Sequence, residues 1–472
     1  MLISNLIFSA FAALVPPAPQ VNPAFQDQAG TKTNVLGAGI VAIGPDCQLT
    51  QAELDELLVW RHGQAQSGKA AQRSLLELKA LEHLTKQRNI QISQADLNAR
   101  WSEIEQQVIA SGEARDLPQF LLDNNVERST FRRYLLLGIA HERMVRMDLE
   151  VADGVKIPGE TQKVWLEEQL EGMGYKPALF PWQDGIVATI GPQQVTRAEL
   201  AEELRSKLPD ADLAQACYEL LLEKRLMARM PDLAPEALKA ALEVEIDRRR
   251  RNTAANPKYK GAGYEQLLAA QGLSLETVRR DPAVRSAALS HLWVDRTHDQ
   301  DALRAVYESE RPYFDGQFGE GVEVYLCLLT AGLFKNELIK RNFDEAIEEL
   351  NTMKVGVESL EQFQQRIVPA SEDVDTMKAK GLYGLVTRER REVPAPLREA
   401  VFRVLDSKAG DVSGELVGPI RLAGSVILAC LGQRQPAPTW AAMSHKVHTE
   451  LRARHLAEVL PRGQVRTLYD PR

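Results

Sequence analysis

At roughly 100 to 200 residues per domain, the 472-residue chain predicts two to four domains and excludes a single core. Hydrophobic residues at 44% and charged residues at 26% exclude wholesale disorder and fibrous architectures. A net charge of −8 argues against nucleic-acid binding, which needs a dense basic surface for counterion release; the run Arg248 to Arg251 follows Glu243, Glu245 and Asp247 and reads as a solvated helix end.

Residues 1–15 are an apolar run of signal-peptide length, short of the ~20 residues that span a bilayer. Export to the periplasm or the medium is expected, with no integral membrane span. No Lys or Arg precedes the run and its A-x-A pattern lies inside it, so cleavage and tethering both stay open. Residues 16–33, rich in Pro, Ala and Gln, read as a flexible leader.

The chain then repeats itself. Residues 40–45 read IVAIGP and precede Thr50-x-x-Glu53; residues 186–192 read IVATIGP and precede Thr196-x-x-Glu199. Further on, Gln119 and Thr130 recur as Gln266 and Thr277, so a whole module is duplicated. Each copy opens with a short β run and a capping box, in which a Thr hydroxyl and a Glu carboxylate satisfy the first free helix amides. Helices follow, with Leu54, Leu57 and Leu58 in the first copy and Leu213, Cys217, Leu220 and Leu221 in the second at helical spacing. Ser93 with Asp96 predicts another helix start, and Leu97, Trp101 and Ile104 continue its buried face.

After Gly321 the character changes. Residues 322–329 (VEVYLCLL) predict a strand, Phe343 to Phe363 reads as helical, and Gly410 to Gly432 alternates short strands with turns. Trp440 to Leu460 returns to helix. The expected fold is mainly α with one α+β domain: a signal-like segment and leader over 1–33, helical modules over 34–180 and 181–318, an α+β domain over 319–436, and a C-terminal helix over 437–472 packing on a helical module. The four cysteines form no CxxC and read as core residues. The six tryptophans are scattered and read as core or intermodule contacts. His445, His448 and His455 read as an exposed helix face, with no metal site expected. No nucleotide loop and no G-x-S-x-G occurs.

In order, these segments resemble the SurA/PrsA/PpiC group of extracytoplasmic foldases. The module pattern through Thr130-Phe-Arg-Arg-Tyr-Leu135 is similar to the helical chaperone domain of that group. Residues 302–308 before the strand at Val322, and the stretch from Gly381 through residues 399–405 to Gly410 and Gly418, are similar to a parvulin-type prolyl isomerase domain. The resemblance implies polypeptide clients and no cofactor. It also implies a pocket with two histidines, which fall here at Leu326 and Val426, and ring-holding residues, which fall at Val393 and Leu397; Phe402 matches an aromatic of the family. With both histidines gone, isomerase activity is expected to be impaired, Tyr325 and Ser425 being the polar substitutes on offer. Three readings follow: a chaperone-like binder of unfolded segments, an active isomerase with unfamiliar residues, or a structural partner in an envelope complex.

Overall fold

The computed structural model describes residues 36–470 except 125, 260, 336–338 and 409; the signal-like segment and leader lie outside the described residues. The fold is mainly α with one α+β region, as expected. Two compact units divide the chain: one runs to Ser290 and resumes at Leu456, the other is His291–His455.

In the first unit, strands β1 (Ile40–Gly44) and β2 (Cys47–Thr50) form a hairpin, followed by α1 (Gln51–His62), α2 (Gln66–Gln87), α3 (Gln94–Ser111), α4 (Leu117–Asp123), α5 (Arg128–Asp148), α6 (Gly159–Gly172) and the short strand β3 (Lys176–Pro177). The series then recurs as β4 (Ile186–Ile190), β5 (Gln193–Thr196), α7 (Arg197–Lys207), α8 (Asp210–Ala228), α9 (Pro235–Ala255), α10 (Tyr264–Ala270), α11 (Leu275–Arg280) and α12 (Pro282–Thr297). Both Thr-Glu capping boxes form, as does the Ser93-Asp96 box. Where the first copy has one helix, α5, the second has two, because Pro282 lacks an amide for the ladder and disfavours helix at Asp281. The shared Gly-Pro dipeptides make different turns: Gly44 ends its strand and Asp46 takes the positive φ, whereas in the second hairpin Gly191 does.

The copies do not fold side by side; they exchange parts. The helix α2 of the first copy packs over β4 and β5, and α8 of the second packs over β1 and β2, while α1 and α7 pack together. Each hairpin takes its third strand from the other copy. β3 pairs β4 through Pro177↔Ala188, and β10 (Arg466–Thr467), beyond the C-terminal helix α19 (Trp440–Val459), pairs β1 through Thr467↔Ala42. The ion pairs match: Lys224 reaches Glu53 at 2.5 Å, and Lys79 reaches Glu199 at 2.6 Å. Burial raises both carboxyls, but the ammonium and the Thr amide and hydroxyl outweigh it and hold them below the usual range. The expected boundaries of 34–180, 181–318, 319–436 and 437–472 therefore differ from the division found. The α+β segment lies between α12 and α19, and β10 completes the first hairpin.

The turn between α1 and α2 admits no side chain. A Cβ on Gly68 would lie 2.1 Å from the His62 carbonyl oxygen and 2.6 Å from that of Gly63, both backbone atoms. Gly68→Ala is therefore expected to cost about 2 kcal/mol by overpacking, despite alanine's better helix propensity. A urea titration checks it: an unchanged midpoint would mean that this turn yields freely.

The second unit holds α13 (Gln300–Ser309), α14 (Arg311–Phe318), β6 (Gly321–Thr330), α15 (Phe343–Met353), α16 (Leu360–Arg366), α17 (Val374–Lys378), β7 (Leu382–Thr387), α18 (Ala395–Ser407), β8 (Leu416–Arg421) and β9 (Ser425–Gln435), with most of α19. Its antiparallel sheet has the order β7-β6-β9-β8. The helix expected from Phe343 to Phe363 is broken, with Gly356 at φ +70° between its halves.

Candidate functional site

Strand β6 alternates, and the alternation decides what the sheet can do. Val322, Val324 and Leu326 face α18, joining Val386, Val393, Leu397, Val401, Phe402 and Ile427 in one core cluster. Cys327 and Leu329 face the opposite way, joining Phe343, Leu350 and Phe363 of α15 and α16, and also Val426. The two positions where the resemblance puts histidines thus lie in different clusters on opposite faces of the sheet. Their register agrees: Leu326 pairs Ala429, and Val426 pairs Leu329. Neither β6 nor β9 contains a histidine.

Leu326, Val393, Leu397 and Phe402 do come together, at exposures of 5%, 2%, 0% and 5%. They touch as a filled interior and not as the wall of an open pocket. Polar groups nearby serve the fold. The Arg388 guanidinium lies 4.3 Å from the Phe402 ring centroid and pairs with Asp406. Arg390 donates to the Leu385 carbonyl, and Arg398 donates to the carbonyls of Arg390 and Val393 at 2.9 and 3.3 Å.

Tyr325 and Ser425 are not brought together. Tyr325 pairs Cys430 while Ser425 pairs Thr330, five residues further along the strand, or about 16 Å at ~3.3 Å per residue. Burial, and then the Glu323 carboxylate, raise the Tyr325 phenol, which stays protonated. Its ring packs on Gly432, where an added Cβ would lie 2.7 Å from Cε2.

The other candidates resolve simply. All four cysteines are free; Cys217, Cys327 and Cys430 are buried and their thiols are pushed up to about 12, so they are core residues as expected, whereas Cys47 is only half-buried. In the basic run, Arg248 and Arg249 both bind Glu245, and Arg250 binds Asp247 and Glu265, while Arg251 is exposed. Among the described residues no helix is long and apolar enough to cross a membrane. His445 is exposed, but His448 and His455 are 8% and 2% exposed, so the expected exposed histidine face is corrected: both turn inward on α19. An open depression on α15, lined by Asp344, Ile347, Glu348 and Val355, lies apart from every predicted site residue.

Sequence reasoning missed the exposed apolar residues. At the turn from α5 to α6, Met147, Leu149 and Val155 are 61%, 48% and 53% exposed. Arg146 fixes this turn by donating to the carbonyls of Ala152 and Val155. In the second unit, Leu333 and Phe334 are 73% and 84% exposed just after β6. No periodicity marks these positions: Met147 is in the last turn of α5, and the others fall in irregular backbone.

No known family description matches the chain, and no curated protein does. Solved structures do. The match to the peptidylprolyl isomerase PrsA of Bacillus anthracis has 11% identity and covers 51% of this chain and 88% of that one, with a TM-score of 0.22. The foldase PrsA of Streptococcus pneumoniae gives 16%, 57%, 89% and 0.21 in the same terms. A SurA-like chaperone of Campylobacter jejuni gives 16%, 58%, 93% and 0.21. At such scores the functional reading rests on this chain's own side chains. The chain is similar to PrsA- and SurA-like foldases.

Proposed function

We propose that the chain is an extracytoplasmic, chaperone-like protein that binds extended apolar segments of unfolded polypeptides, with its α+β unit acting as a scaffold and not as a prolyl isomerase. The observation that carries the binding half is the fixed turn at Met147, Leu149 and Val155, which holds apolar side chains in water. Its arginine brace means that the surface is presented without first being ordered, and methionine adapts its shape to varied partners. What supports the scaffold half is the chemistry at Leu326 and Val426. Lowering the ~20 kcal/mol barrier of an X-Pro bond needs polar groups placed at the twisting amide. Neither side chain carries a polar atom, and the two lie on opposite faces of the sheet.

The experiment is suppression of aggregation of a chemically unfolded secreted or outer-membrane protein by the purified chain. The wild type is expected to suppress it at stoichiometric ratios. The triple variant Met147→Ser, Leu149→Ser, Val155→Ser is expected to lose at least half of that effect with an unchanged circular dichroism spectrum. Full activity in this variant, with loss on Leu333→Ser and Phe334→Ser instead, would move the grip to the α+β unit. No suppression by the wild type would sink the reading and favour a structural role with one dedicated partner. Acceleration of a proline-limited refolding reaction would favour an isomerase.

A further inference from the structure

We infer that His291, Asp295 and His448 form a site for a divalent first-row transition ion, zinc in the first instance, that ties helix α12 to helix α19. His291 and Asp295 are four residues apart on α12 and therefore share a face of that helix. His448 comes from α19, 153 positions from Asp295. The His448 Nε2 lies 2.9 Å from Asp295 Oδ1, and the His291 Nε2 lies 3.4 Å from Asp295 Oδ2. The two imidazole centroids are 4.6 Å apart, and one ligand atom from each residue falls within 4.8 Å of the others.

Those separations suit coordination. Two donors on one tetrahedral zinc, each ~2.0–2.1 Å from the metal, stand ~3.4 Å apart. The set of two imidazoles and one carboxylate is the ligand chemistry that zinc and its first-row neighbours prefer, and it excludes magnesium and calcium, which take oxygen ligands. His448 is 8% exposed, whereas the Asp295 side chain is half exposed at 50%, so the site has a fixed inner ligand and an open outer side for metal to enter. The helices are braced beside it by the Trp293 ring stacked on His455, with centroids 3.7 Å apart and planes 3° from parallel. Without metal the same three side chains hold one another through these contacts, and a bound ion would take the place of the contacts.

The test is titration of the chelator-treated full chain with zinc by calorimetry, and with cobalt by visible absorption, where bound nitrogen and oxygen ligands give d–d bands. Binding at one ion per chain is expected. His448→Gln and Asp295→Asn, each close in size to the native residue, are expected to weaken it at least ~10-fold, with circular dichroism confirming that each variant folds. His445→Gln, on the exposed side of α19, is expected to bind like the wild type. Absence of one-to-one binding in the wild type would overturn the site. So would undiminished binding in both ligand variants, or loss confined to His445→Gln.

Discussion

Histidine placed at both Leu326 and Val426 is expected to destabilise the α+β unit severely and to confer no prolyl isomerisation. Each position is inside a packed apolar cluster, at 5% and 0% exposure. An imidazole there brings two nitrogens with no partner within the cluster, at ~1–3 kcal/mol for the unsatisfied group, and at Val426 also a larger side chain that overpacks the site. For the pair the loss is about 4 kcal/mol or more. Because the two residues belong to clusters on opposite faces, the single losses should add, and the new rings could not meet at one amide. Urea unfolding of the singles and the double checks the sum. A proline-limited refolding assay of the folded fraction checks the activity; a stable double variant that accelerates it would refute this account of the sheet.

Acid is expected to weaken the first unit through His141. This residue of α5 is 1% exposed, its Nε2 lies 3.2 Å from the Gln162 carbonyl, and its ring packs 5.3 Å from that of Trp165. Desolvation by burial lowers the imidazole from 6.5 to about 4, despite that carbonyl. The sign follows from linkage. Below pH 6.5 the unfolded chain takes up a proton that the folded chain refuses, so stability falls as pH drops from 6.5 to about 4, and this contribution levels off below that. The shift corresponds to something on the order of 3 kcal/mol. Urea midpoints measured across that window should fall for the wild type, and the fall should be much shallower for His141→Gln. Equal slopes in the two proteins would remove His141 from the account.

How far the sequence reaches is clearest at the helix starts. Thr50, Ser93 and Thr196 mark theirs because a capping box is local chemistry within four residues. The matching strings at residues 40–45 and 186–192 are equally legible, since reading them needs no knowledge of pairing. What no string records is which copy's helix covers which hairpin, because α2 and α8 carry similar apolar stripes and either roof would satisfy the pattern. The α+β segment therefore read as a third domain in series, whereas the first unit stops at Ser290 and resumes at Leu456. At the candidate site, Leu326, Val393, Leu397 and Phe402 lie in one buried cluster. Val426 lies in the other cluster, because the irregular register between β6 and β9 near Val322 and Val324 sets which side of the sheet each residue takes, and that depends on pairing across a hundred positions. The inward turn of His448 was hidden for a similar reason: its partners stand on another helix.

The exchange of strands has a kinetic meaning. During synthesis the second sheet has all its strands as soon as β5 is made, but the first hairpin waits for Arg466 and Thr467, which follow the whole α+β segment. Until then the row of amides and carbonyls on β1 that β10 will occupy stays open, the kind of edge on which nascent chains pair wrongly. The earlier of the two hairpins to be made is thus the later to close.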